Sequence, residues 1–282
     1  MASDSNGKLG HWIVRAGRWP VVQRIKPLLP SFLRRKAWYM AASCSQFEVL
    51  GSRMFIPADA RQRDLVLDEY EPAVSARMRS LLRAGMTVCD VGANIGVFSL
   101  FAAKLVGPQG RVIAFEPIPA NVETLRANIL LNRLSNVTLL EKAAAETSGR
   151  MEIHLSSLCG CHSLVSKPEA SAGKVLFVET VRLEELAECA SIDLLKIDAE
   201  GAEIAVLRSL GARRPRHLIL EYNGARAKAA GFSGHEFIAI LRGLGYAEIE
   251  NLDDPAQGLA AITGTDSVST NLYASFTGRA EQ

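Results

Sequence analysis

The sequence predicts an α/β protein with an open, Rossmann-like sheet, and three observations carry that reading. Apolar strand-like runs alternate with helical stretches from about residue 87 to residue 244. A glycine-punctuated turn, Gly92-Ala93-Asn94-Ile95-Gly96, follows the first of those runs, and an acid, Glu116, closes the next. Strand alternating with helix marks a parallel sheet with right-handed crossovers. Such sheets take ligands at the carboxyl ends of their strands.

The elements follow in order. A strand-like piece stands at Phe55 and Ile56. Residues 71–83 read as a helix with Pro72 early, where the missing N–H costs little, and Gly85 ends it. Residues 87–91 read as strand, 95–106 as helix, 111–116 as strand, 119–132 as helix and 137–140 as strand. Segments 150–155 and 175–182 alternate in the manner of strands around a Ser/Cys/Gly-rich loop. The pattern resumes with strand 192–197, helix 202–210, strand 217–221 and helix 234–244. Segments 246–250 and 271–276 read as closing strands with a polar loop between them.

Composition divides the chain. Of 282 residues, 48% are hydrophobic and 22% charged, the balance of a globular protein with a real core. No run approaches the roughly 18 apolar residues of a membrane-spanning helix, and the first ten residues lack the apolar stretch of a secretory signal. The five cysteines are odd in number and scattered, so no disulfide framework is expected and a reducing cytoplasm fits. Between Ser5 and Phe47 there are eight basic residues and no acidic one, together with all three tryptophans, Trp12, Trp19 and Trp38. The chain outside residues 1–47 carries 24 Lys and Arg against 29 Asp and Glu. Residues 1–50, broken by Pro20, Pro27 and Pro30, are therefore expected to form a basic helical extension, and 51–282 the α/β domain.

The turn after residues 87–91 is the most informative stretch. Glycines there let the backbone approach a ligand closely. Glu116 lies twenty residues after Gly96, well placed to accept hydrogen bonds from ribose hydroxyls. Dinucleotide binding would require G-x-G-x-x-G, which G-A-N-I-G does not provide, and Asp90 would repel a pyrophosphate at the helix N-terminus. A carboxylate there suits a ligand with an ammonium or sulfonium group, such as S-adenosylmethionine.

Four motifs in order, DVGANIGVFSLFAA, FEPIPANVETLRANILLN, KAAAETSG and above all LLKIDAEGAEIAVLRSLG, make the chain resemble the FkbM-type methyltransferases. The resemblance runs from about Thr87 to Leu220. It implies a class I methyltransferase fold with seven strands, mostly parallel with the last antiparallel, and helices on both faces. It further implies S-adenosylmethionine as cofactor, with Asp90, Gly92, Asn94 and Gly96 cradling its methionine part. Glu116 would then hold the ribose, Ala143 would lie near the adenine, and Asp198 would stand beside the site of methyl transfer.

A sulfonium methyl is already electrophilic, so the enzyme must chiefly align the acceptor and help a hydroxyl lose its proton. Asp198 and Glu200 are the expected catalytic carboxylates, and His162, in a loop near the expected cleft, is a third candidate base. Glu203, Glu221 and Asn223 belong to the same cluster of strand ends, Glu203 with a competing role at a helix N-terminus. Asp198, Glu221 and Asn223 could instead ligate Mg²⁺, although no metal is assigned. Cys159, Cys161 and His162 have no fourth ligand at a zinc-finger spacing. Lys196, inside an apolar strand, is expected to pair with a neighbouring carboxylate.

The expected reaction is O-methylation of a hydroxyl on a sugar, glycolipid or polyketide-like small molecule. The alternatives are a non-catalytic cofactor-binding module of the same fold and a nicotinamide-dependent oxidoreductase. Tryptophan with Lys and Arg is an interfacial combination, so residues 11–40 either touch an anionic membrane or cap the cleft. Nucleic acid is not an expected partner, because no recognition motif accompanies the charge.

Overall fold

The strand Leu194–Ile197 is buried at every position, as a parallel strand covered on both faces must be. It lies at the middle of a seven-stranded sheet. The computed structural model describes residues 46–57, 70–154, 175–264 and 267–278. In chain order its elements are β1 (Gln46–Val49), β2 (Ser52–Phe55), α1 (Pro72–Leu81), β3 (Thr87–Val91), α2 (Val97–Val106), β4 (Arg111–Phe115), α3 (Pro119–Leu131) and β5 (Val137–Leu140). They continue with β6 (Ala143–Ala144), β7 (Gly149–His154), β8 (Val175–Val181), β9 (Leu194–Ile197), α4 (Glu203–Ser209), β10 (His217–Asn223), α5 (Gly224–Ala229), α6 (Gly234–Gly243), β11 (Glu248–Asn251), α7 (Ala260–Gly264) and β12 (Ser269–Ser275).

The large sheet runs β11-β12-β10-β9-β3-β4-β5. β5, β4, β3, β9 and β10 are mutually parallel, and β12 is antiparallel to both of its neighbours. This is the expected sheet of seven with one reversed strand. One face is covered by α1, α2, Leu125 of α3 and the end of the β1–β2 hairpin, the other by α4, α6 and Leu183. β6, β8 and β7 form a separate three-stranded sheet.

Local chemistry accounts for the element ends. Pro119 opens α3, where a proline loses no hydrogen bond, and Ser233 with Glu236 closes a reciprocal capping box on α6. β10 runs two residues beyond its expected end because β12 pairs with it all the way to Asn223↔Ser269. Asn223 then caps α5 by accepting the Arg226 N–H at 3.1 Å. The hairpin Gln46–Phe55 is tied to the domain by Asn128, whose amide accepts the Phe55 N–H at 2.7 Å and donates to Ile95 O at 2.8 Å. The expected helical extension lies almost wholly outside the described residues, as do Cys159, Cys161, His162 and the loop that holds them.

Candidate active site

The chain order reverses between β3 and β9, so the loops after these two strands diverge and open a crevice. The backbone stitches its floor: Asp198 N–H donates to Val91 O at 3.0 Å, and Gly92 and Ala93 N–H both donate to Phe115 O. Gly92 (φ +81) and Asn94 (φ +51) are left-handed, a conformation only glycine adopts freely. Asn94 thereby aims its N–H at Glu116 Oε2, 2.8 Å away.

Glu116 stands at the carboxyl end of β4 and lines the cavity, though it is only 3% exposed. Its other oxygen accepts the Ile118 N–H at 2.8 Å and the Asn121 amide at 3.3 Å. Burial lifts its carboxyl to about 7 against the pull of these donors. Ala143, at the start of β6, also lines the cavity.

The cavity is about 420 Å³, within the range of small-molecule sites. Gly92, Asn94, Glu116, Ala143, Asp198, Glu200, Glu221 and Asn223 line it, so most of the residues expected from sequence converge on one space. Asp90 and Gly96 stand behind its wall. Asp90 is 2% exposed; one oxygen accepts the Ser99 hydroxyl at 2.5 Å, and the other has no hydrogen-bond partner among the described residues. Gly96 faces inward, where a β-carbon would run into Leu125 and Leu100.

Behind the crevice, Lys196 Nζ lies 3.2 Å from Asp198 Oδ2 and 4.8 Å from the centre of the Phe98 ring. Burial would push this ammonium down, but Asp198, Asp90 and Glu71 together hold it above its usual value. Glu200 is ion-paired with Arg226, whose guanidinium also lies 3.6 Å from Glu221. Glu221 accepts the Ser269 hydroxyl at 3.0 Å, and burial, then the Asp198 charge, raise its carboxyl to about 8. Glu203 points back into its own turn, accepting the Gly201 and Ala199 N–H groups at 3.0 and 3.2 Å. Burial raises it to about 7.

Several polar lining residues carried no functional signal in the sequence, among them Tyr70, Glu71, Asn121, Lys142, Arg226 and Asn271. Glu71 read only as the start of a helix. An Asn–Gly pair before Ala-Arg-Ala-Lys-Ala is a usable cap signal for α5, and it would have placed Arg226 beside Glu221. No cluster of three or more His, Cys, Asp and Glu that could hold a metal ion occurs among the described residues. Nor is any helix among them long and apolar enough to cross a membrane.

The donor set suits S-adenosylmethionine: a carboxylate for ribose hydroxyls, a glycine turn for close backbone approach, and an excess of carboxylates toward a cation. Strand order and site together define a class I methyltransferase. Residues 90–247 match the family model described as the methyltransferase FkbM domain. The chain is 31% identical over 207 residues to 31-O-demethyl-FK506 methyltransferase FkbM of Streptomyces tacrolimicus, covering 61% of this chain and 76% of that one. It is 31% identical over 155 residues to methyltransferase sdnD of Sordaria araneosa, covering 44% of this chain and 60% of that one. A solved SAM-dependent O-methyltransferase of Thermotoga maritima superposes remotely, at 13% identity and a TM-score of 0.44, over 75% of this chain and 67% of that one. The chain belongs to the FkbM family of S-adenosylmethionine-dependent methyltransferases.

Proposed function

We propose that this chain transfers a methyl group from S-adenosylmethionine to a hydroxyl oxygen of a sugar, glycolipid or polyketide-like small molecule. The observation that carries the reading is the division of one cavity into two chemistries. Glu116, Asn94 and Ala143, on or after β4, β3 and β6, suit an adenosine. Asp198, Glu221, Asn223 and Asn271, on or after β9, β10 and β12 on the other side of β3, are hydrogen-bond acceptors and amides suited to hydroxyl groups. The Streptomyces relative acts on 31-O-demethyl-FK506, which supports oxygen as the receiving atom.

S-adenosylmethionine supplies an electrophilic methyl when bound; the residues of the chain do the rest. Glu116 orients the ribose, and the Gly92 turn fixes the depth of the ligand. Asp198, kept in place by Lys196, receives the acceptor hydroxyl and draws on its proton. Glu200 acts through Arg226, which it holds beside Glu221. His162 remains a proposed base, and Asp198, Glu221 and Asn223 a proposed Mg²⁺ set. Contact of residues 11–40 with anionic lipid is proposed on composition alone; the division of the chain is proposed too, with its boundary before Gln46 rather than at residue 50, because the hairpin Gln46–Phe55 packs in the domain core.

The test is a methyl-transfer screen of the full chain against hydroxylated sugars, glycolipids and polyketide-like compounds. Acceptor-dependent formation of S-adenosylhomocysteine is the expected result. Nicotinamide binding with no affinity for S-adenosylmethionine overturns the reading.

A further inference from the structure

Glu71 is held in a conformation that its residue type and its neighbour both oppose. Its φ of 43° and ψ of 64° are left-handed for a side chain with a β-carbon, and the residue precedes Pro72, which disfavours departures from extended backbone. Glu71 is the N-cap of α1 and its carbonyl accepts the Ser75 N–H at 3.0 Å, but its side chain makes no cap hydrogen bond. Glu71 instead lines the cavity, together with Tyr70 and Asp198. Strained residues held over a ligand site point to function rather than to stability.

The buried ammonium of Lys196 is ion-paired with Asp198 at 3.2 Å, and the Asp90 and Glu71 charges add to its stabilisation against burial. Tyr70 packs against Phe98 at 5.9 Å between ring centres, and Phe98 is the ring beneath Lys196. Glu71 therefore lines the cavity beside Tyr70 and Asp198, near the buried ammonium that is ion-paired with Asp198; burial raises its carboxyl and the Lys196 charge opposes that rise.

We propose that Glu71 is a specificity-determining residue, its carboxylate favouring the sulfonium cation of the methyl donor over the neutral thioether that remains after transfer. This rests on the methyltransferase reading above. Glu71 in this role promotes product release as well as substrate capture, since its attraction vanishes with the sulfonium charge.

The test is calorimetric binding of S-adenosylmethionine and S-adenosylhomocysteine to the full chain, with no acceptor required. An opposite charge within about 4–6 Å favours a charged form by roughly 1–3 pK units. Glu71→Gln should therefore lower the donor-to-product affinity ratio by at least about tenfold, chiefly through the donor. Tyr70→Phe, which removes the hydroxyl but keeps the charge, should leave the ratio near that of the parent chain. Glu71→Gly should lose the preference while gaining thermal stability, and it serves if the Gln variant does not fold. A parent chain that binds neither ligand overturns the methyltransferase reading itself. A parent that binds both, with an unchanged ratio in Glu71→Gln or an equal loss in Tyr70→Phe, overturns this inference alone.

Discussion

Gly92 and Asp198 meet backbone to backbone: a β-carbon on Gly92 would stand 2.9 Å from the carbonyl carbon of Asp198, and nearer still to its oxygen. The obstacle is main chain, which cannot rotate away. The φ of +81° adds strain for any other residue. Gly92→Ala should destabilise the domain by about 1–3 kcal/mol, as overpacking does, and should weaken S-adenosylmethionine binding by more than its loss of stability explains. Thermal unfolding with and without ligand checks this; an unchanged ligand-induced shift would refute it.

Glu116 touches the cavity through a carboxylate already engaged by two backbone N–H groups. Glu116→Ala should weaken S-adenosylmethionine and S-adenosylhomocysteine alike, by about 1–3 kcal/mol for lost charge-assisted hydrogen bonds. Equal losses for both ligands, read by calorimetry, distinguish a ribose contact from a contact with the sulfonium end.

The ligand-free protein should lose stability as pH rises. Burial raises Glu116 and Glu203 to about 7 and Glu221 to about 8, above the ordinary carboxylate value of about 4.5. The folded state then holds more protons than the unfolded state between these limits, so stability falls with increasing pH. The contribution is complete below about pH 4.5 and is lost as pH passes 7 to 8. Melting temperature measured from pH 5 to 8.5 should decline, and Glu221→Gln should flatten the upper part of that decline. An upward slope across this window would show that the native carboxylates are better solvated than their burial implies.

Asp198→Asn should reduce turnover about 10²–10⁴-fold, the usual contribution of a general base, once an acceptor is known. Glu200→Gln should cost less in turnover and more in acceptor affinity, because it releases Arg226. If EDTA abolishes activity and Mg²⁺ restores it, Asp198, Glu221 and Asn223 act as metal ligands instead. Near-parental rates in Asp198→Asn without a metal requirement would move the proton to His162.

Residues 11–40 should bind anionic vesicles at low salt and release them as salt is added, because screening acts over about a Debye length. Co-sedimentation of the full chain and of a chain lacking residues 1–40, with tryptophan fluorescence as reporter, tests it. A truncated protein that keeps cofactor binding but loses vesicle binding agrees with the proposal. Absence of sedimentation in both forms, with lost acceptor affinity on truncation, identifies a cap over the cleft.

Much of the fold was legible because its strands read as short apolar runs: residues 87–91 match β3, buried at every position, and 137–140 match β5, an edge strand only partly buried, at both ends. What escaped is short or set by tertiary contact. β6 is two alanines that become a strand only by pairing with Thr180 and Val181. α5 starts directly at the end of β10, leaving no loop to announce it. In the site, strand ends were readable from spacing, whereas directions were not. Asp90 and Gly92 are two residues apart on one motif, yet one turns to Ser99 behind the wall and the other lies on the cavity surface. Tyr70 and Glu71 reach the site because α1 packs over α2, a relationship no periodicity encodes.

β12 is the most C-terminal of the described strands, yet it lies inside the sheet, between β10 and β11. A chain emerging from the ribosome therefore carries β11 with no partner, and β10 with a bare edge, until residues 269–275 arrive. The same strand brings Asn271 to the cavity and Ser269 to Glu221. A product stopped short of residue 269 would thus leave β11 unpaired, β10 with a bare edge and the acceptor end unfinished at once, which ties aggregation and inactivity to a single missing segment.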